Sequence, residues 1–171
     1  MAQPESAAFI KLTVRDPAHL EAHRQDFLLP LGEVLAIARE ALIRRRAGRL
    51  PPATAASGTD FGQPLWECFP QRCPRAVGRS GLATLRPWTR GDYWACRPGR
   101  NRPSHLIPGR LRPTRNLCIW GYWESADNFV IHTLYPGVPA PREIHDPELP
   151  VADLAQAIRF WTEHAIIVER S

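Results

Sequence analysis

The spacing of apolar residues divides the chain into a helical front, a strand-rich middle and a helical end. Over 32–49, Val34, Leu35, Ala38, Ala41 and Leu42 recur at steps of three and four, which predicts an amphipathic helix. It runs into Arg44, Arg45 and Arg46, cations suited to the negative end of a helix dipole and read most simply as a solvated helix end. Ahead of it, Asp16 followed by Pro17 marks a helix start, with Asp16 as cap, Pro17 in the first turn and Glu21 soon after. Residues 7–14 alternate loosely and read as a short strand or extended segment.

The clearest strands are 116–123 (NLCIWGYW) and 128–135 (NFVIHTLY), both dense in aromatic and β-branched residues. The polar turn 124–127 between them predicts an antiparallel hairpin. A shorter strand is expected over 92–97 (DYWACR). Strict alternation along the second arm puts Phe129, Ile131, Thr133 and Tyr135 on one face and Val130, His132 and Leu134 on the other. Both faces are mostly apolar, so one covers the core and the other meets a helix or lines a concave binding surface. Pro136 and Gly137 stop the strand, and the proline-rich 136–150 leads to a final helix from Ala152 to about Val168. Its apolar face would carry Leu154, Ala157, Ile158, Trp161, Ala165 and Val168.

These elements predict an α+β fold: N-terminal helices, a twisted antiparallel sheet of about four strands, and a C-terminal helix packed on the sheet. At 171 residues the chain fits one domain over 1–171. Residues 50–62, rich in Pro, Ala, Ser, Thr and Gly, form a linker or long surface loop, which would join a helical module over 1–49 to a β-rich core over 63–171. A hydrophobic content of 44% and six tryptophans fit a folded globule rather than a disordered basic tail. No apolar run has signal-peptide or membrane-span length, so a cytoplasmic location without membrane partners is expected.

Charge changes the picture. Residues 68–123 hold eleven arginines, no lysine and a single acid, Asp92. The flanking segments 1–67 and 124–171 carry net charges of 0 and −5, so a block of +10 accounts for the chain's +5. A block this one-sided points to a polyanion, and arginine's planar fork binds phosphate oxygens in pairs and stacks on bases. Trp88, Trp94, Trp120 and Trp123 interleave with it, as core residues or as platforms for unpaired bases.

His105, flanked by Arg97, Arg100, Arg102, Arg110, Arg112 and Arg115, suits either a general base or an inert histidine on a phosphate-binding surface. His132 is a second candidate, or a hydrogen-bonded structural histidine. Metal-independent RNA cleavage needs a base for the 2′-hydroxyl, an acid for the leaving oxygen and fixed cations for the phosphate. The chain offers His105 as base, His132 or Tyr135 (or Tyr93) as acid, and Thr133 to position the phosphate. Arg97, Arg100 and Arg102 would form the clamp. No cofactor or metal is expected. There is no phosphate-cradling glycine loop, no GxSxG elbow and no dinucleotide fingerprint. His19 with His23, and His145 with Asp146, lack a further ligand. Cys68, Cys73, Cys96 and Cys118 do not have zinc-finger or CxxC spacing and read as buried free thiols, with a disulfide or metal site as the alternatives. Cys96 and Cys118 read as small apolar residues inside strands.

The run from Phe129 to Gly137 (FVIHTLYPG), placed after a basic region, resembles the strand that closes the small metal-independent RNase toxins of the barnase, EndoU, colicin and RelE group. The resemblance covers about 92–137. It implies that Ile131–Pro136 is the site strand, that Thr133 and Tyr135 face the site, and that His105 is the histidine of an earlier strand. It implies RNA as substrate and an acidic inhibitor protein, an antitoxin or immunity partner, over the arginines. The chain departs from that group in its added C-terminal helix, its long N-terminal part and its near lack of lysine. The other reading is a non-catalytic adaptor that binds nucleic acid or an acidic protein through the same block.

Overall fold

Residues 9–47, 65–85, 94–96 and 103–169 are described in a computed structural model of the chain. In chain order they form β1 (Lys11–Val14), α1 (Pro17–Ala22), α2 (Leu31–Ala47), β2 (Leu65–Arg72), β3 (Gly78–Ser80), β4 (Leu82–Thr84) and β5 (Trp94–Cys96). After these come β6 (Pro103–Pro108), β7 (Arg112–Thr114), β8 (Asn116–Trp123), β9 (Asn128–Pro136), α3 (Leu154–Glu163) and β10 (His164–Val168). The fold is α+β with a C-terminal helix, as the apolar spacing predicts. The 50–62 linker lies outside the described residues.

The expected hairpin is the middle of a four-stranded sheet of order β1-β9-β8-β2. Strands β2 and β9 run antiparallel to β8, while β1 runs parallel to β9. Asp16 caps α1 as its position predicts, accepting a hydrogen bond from the His19 backbone at 3.0 Å. One face of α2 buries Val34, Ala38, Ala41 and Leu42 in a cluster with Phe69, Leu117, Ile119, Phe129, Ile131 and Leu134 of the sheet. Each large side chain withdrawn from water contributes about 1.5–3 kcal/mol, so this helix–sheet contact outweighs any surface ion pair in fixing the fold. The end of α2 is also anchored, not simply solvated. Arg45 donates from Nε to Glu67 Oε2 at 2.7 Å and lies 4.5 Å above the Phe69 ring, while Glu67 Oε1 accepts from Trp123 Nε1 at 3.1 Å.

Strict alternation fails in β9. Trp120 lies opposite Thr133 and Gly121 opposite Ile131, which leaves His132 as the extra residue of a bulge. Alternation therefore restarts one residue late. Phe129, Ile131 and Leu134 enter the core, whereas Thr133 shares the opposite face with its partner Trp120. Gly121 is the residue this bulge requires, because a Cβ there would run into the Val130 carbonyl and the Phe129 ring.

The predicted helix 152–168 is corrected by the structure. A 3-10 turn at Val151–Asp153 leads into α3, which stops at Glu163, and His164 turns to extended backbone at φ −135° and ψ 153°. The β-branched Ile166, Ile167 and Val168 favour a strand, and two neighbours are waiting. β10 fits between β4 (antiparallel) and β6 (parallel) in a second four-stranded sheet of order β4-β10-β6-β5. Ala165 and Ile167 face inward with period two, so the helical spacing of Ala165 and Val168 is coincidental. β3 and β7 form a separate two-stranded ribbon. Among the described residues no helix is long and apolar enough to cross a membrane.

Candidate functional site

The face of the larger sheet turned away from α2 is unusually aromatic. Trp66 of β2 lies opposite Tyr122 of β8, and Cys68 lies opposite Trp120. The Trp66 ring centroid is 4.8 Å from Tyr122, 5.9 Å from Trp120 and 5.5 Å from His132, and Trp120 and His132 are 4.5 Å apart. Aromatic pairs at these tilted and edge-on geometries hold one another in place. Trp66 nevertheless keeps 43% of its surface exposed. The Arg15 guanidinium lies 3.5 Å from His132 Nδ1. Burial first, then Arg15 and His19, hold the His132 imidazole below the ordinary histidine range, so the ring is neutral at pH 7.

Beside this cluster a cleft of about 740 Å³ separates the two sheets. Cys68, Trp120, Thr133 and Tyr135 form one wall, Leu82, Trp161 and Ile166 another, and Arg142, Glu143 and Asp146 lie along the connecting segment. Arg142 is held by Asp146 at 3.2 Å and Glu148 at 2.7 Å, and its carbonyl accepts from Trp161 Nε1 at 3.1 Å. Glu143 accepts from the Ser104 hydroxyl at 2.8 Å. Burial pushes Tyr135 above the ordinary phenol range, so it keeps its proton. Tyr135 also lines a neighbouring groove of about 520 Å³ with Arg79 of β3.

The structure brings some of the expected site residues together. Thr133 and Tyr135 line the cleft, and His132 stands next to Thr133 among the aromatic rings. Of the tryptophans suggested as base platforms, Trp120 lies in this site, Trp94 stacks on His105 and Trp123 packs against Phe129. His105 is elsewhere and is 1% exposed. Its Nδ1–H donates to the Trp161 and His164 carbonyls, each at 2.9 Å, and its ring lies 5.0 Å from Trp94 in a near-parallel stack. It ties β6 to the junction of α3 and β10. Arg110, Arg112 and Arg115 are exposed. Arg110 and Arg112 border a groove on the second sheet, and Arg115 donates from Nε to the Cys73 carbonyl at 3.0 Å. Arg97, Arg100 and Arg102 lie outside the described residues, as do Tyr93 and Trp88.

The expectation of four buried thiols is also corrected: Cys73 and Cys118 are buried, but Cys68 and Cys96 are exposed. Cys68 lies on the cleft side of the sheet because its strand alternates Phe69 into the core. Among the described residues no group of three or more metal-binding side chains is assembled. Sequence reasoning passed over Trp66, Cys68, Tyr122, Arg15 and Arg79 as site residues. The signal for three of them was the two-residue step in Trp66–Cys68 and Trp120–Tyr122, which puts each pair on one face of its strand. No family model, no curated protein and no solved structure matches this chain.

Proposed function

We propose that the protein binds single-stranded RNA across the aromatic face of the larger sheet, and does so as a binding protein. The carrying observation is the ring cluster of Trp66, Trp120, Tyr122 and His132, with Trp66 held in place yet 43% exposed. Unpaired bases have π-faces free to stack on such rings, whereas the bases of a duplex are already stacked on each other. Two arginines accompany these rings. Arg15 stands beside His132, and Arg79 lines the groove that shares Tyr135 with the cleft. The excess of arginine over acid in 68–123 supplies the attraction to phosphate.

Cleavage by the residues expected from sequence has weaker support. His105 is engaged with two carbonyls away from the cleft, and Tyr135 holds its proton too tightly to serve as a ready acid. Fluorescently labelled single-stranded RNA, titrated with the protein in excess EDTA, tests both parts. The expected result is salt-sensitive binding of intact RNA, weakened about tenfold by Trp66→Ala, the loss of one stacked base at 1–3 kcal/mol. Binding unaffected by Trp66→Ala would overturn the binding surface. RNA cut in EDTA, and spared by His132→Ala, would overturn the non-catalytic reading. Single-stranded DNA of the same sequence is the control for the sugar.

A further inference from the structure

We propose that Cys68 and Cys118 form a reversible thiol–disulfide pair, oxidised by hydroperoxides, on the wall of the cleft. This inference is independent of RNA binding. The two cysteines are diagonal neighbours on adjacent strands, since Cys68 lies opposite Trp120 and Cys118 lies opposite Pro70. Their Sγ atoms are 3.5 Å apart. Closing to a disulfide of about 2.05 Å requires about 1.5 Å of approach between the sulfurs.

The two thiols differ in the way such a pair requires. Cys68 is exposed and lines the cleft, where a small oxidant can reach it, whereas Cys118 beside it on the neighbouring strand is fully buried. The contact that the two thiols share lowers Cys68 to about 7 and pushes Cys118 far up, the direction that the exposure of Cys68 and the burial of Cys118 also favour. Cys68 thus supplies the thiolate and Cys118 keeps its proton until a sulfur electrophile forms. Tyr135, which also keeps its proton, lines the same cleft and favours the ionised form of Cys68.

In the first step the Cys68 thiolate attacks the outer oxygen of a hydroperoxide. An S–O bond forms, the O–O bond breaks, and the alcohol or water leaves after taking a proton from solvent. Cys68 is now a sulfenic acid. In the second step the Cys118 sulfur attacks the Cys68 sulfur. The S–S bond forms, the S–O bond breaks, and hydroxide leaves as water with the Cys118 proton. Two thiols are oxidised and one peroxide is reduced. A dithiol reductant reverses the change by exchange.

The test is oxidation of the reduced full chain with one equivalent of hydrogen peroxide, followed by alkylation, digestion without reductant and mass spectrometry. The expected result is a linked peptide joining Cys68 to Cys118 with Cys73 and Cys96 alkylated, and alkylation at all four cysteines in a parallel sample treated with dithiothreitol first. Cys96, exposed on β5, is the internal control for accessibility alone. Cys68→Ser, a change at an exposed position, should leave Cys118 unoxidised. Cys118→Ser should leave Cys68 as a sulfenic acid trapped by dimedone. Because serine at a fully buried site can unfold the chain, the unmodified protein decides the outcome. Links through Cys73 or Cys96, or a Cys68 that stays unlinked while Cys96 oxidises, would overturn the pair.

Discussion

The imidazole of His132 stands edge-on to the indole of Trp120, with ring centroids 4.5 Å apart and planes inclined at 68°. This contact exists because His132 is the extra residue of the β9 bulge and is turned toward the aromatic face. A proton on this ring is opposed by partial burial and by Arg15. The folded state therefore binds it less readily than the unfolded chain. Stability from this group is fully present above the ordinary histidine value of 6.5 and is lost as pH falls through the lower folded value. Proton-detected NMR titration should put the His132 midpoint below 6.5, and Arg15→Ala should move it upward without fully restoring it. A midpoint at or above 6.5 in the unmodified chain would contradict the described environment.

The bulge also decides which of two consecutive side chains carries stability. Leu134 is fully buried in the α2 cluster, whereas Thr133 lines the cleft. Leu134→Ala should cost about 2–5 kcal/mol in urea unfolding, and Thr133→Ala well under half of that. The reverse order would mean that strict alternation holds through β9 after all.

Gly121→Ala gives a second measure of the same feature. The added methyl has no room against the Val130 carbonyl and the Phe129 ring, and backbone cannot swing away as a flexible side chain can. A loss of about 1–3 kcal/mol or more is expected, with the denaturant slope unchanged. Wild-type stability in this variant would place the bulge elsewhere.

His105→Ala should act on folding rather than on chemistry. Its Nδ1–H serves the Trp161 and His164 carbonyls and its ring fills the space against Trp94. Removing it leaves buried carbonyls without that donor, at about 1–3 kcal/mol, plus lost packing. Thermal unfolding should shift downward while RNA affinity of the folded fraction is unchanged. An affinity lost at full stability would return His105 to the binding site.

The hairpin was legible because two aromatic, β-branched runs of strand length flank a short polar turn, and no other element suits that pattern. The α2 core face was legible for the same reason, since Val34, Ala38, Ala41 and Leu42 keep one period throughout. What escaped depended on contacts made at long range. The bulge at His132 lies inside a run where both faces are apolar, so a one-residue slip leaves the pattern intact, and Gly121 on the partner strand was its only local trace. β10 escaped because five residues can satisfy a helical and an alternating pattern equally well. For the site, the arginine excess was visible as charge, but sequence order alone did not put Trp66, Trp120 and Tyr122 on the face opposite α2. It drew attention instead to His105, which the fold uses as a brace.

The place of β10 in the middle of the second sheet has a consequence for how the chain is made. Synthesis delivers β4 and β6 long before their shared neighbour, so both present open hydrogen-bonding edges until residue 168 has emerged from the ribosome. The larger sheet waits too, because β1 finds its parallel partner only when residues 128–131 arrive. Nascent chains halted before that point hold unpaired strands from both sheets, and these are the species that chaperones would have to shelter.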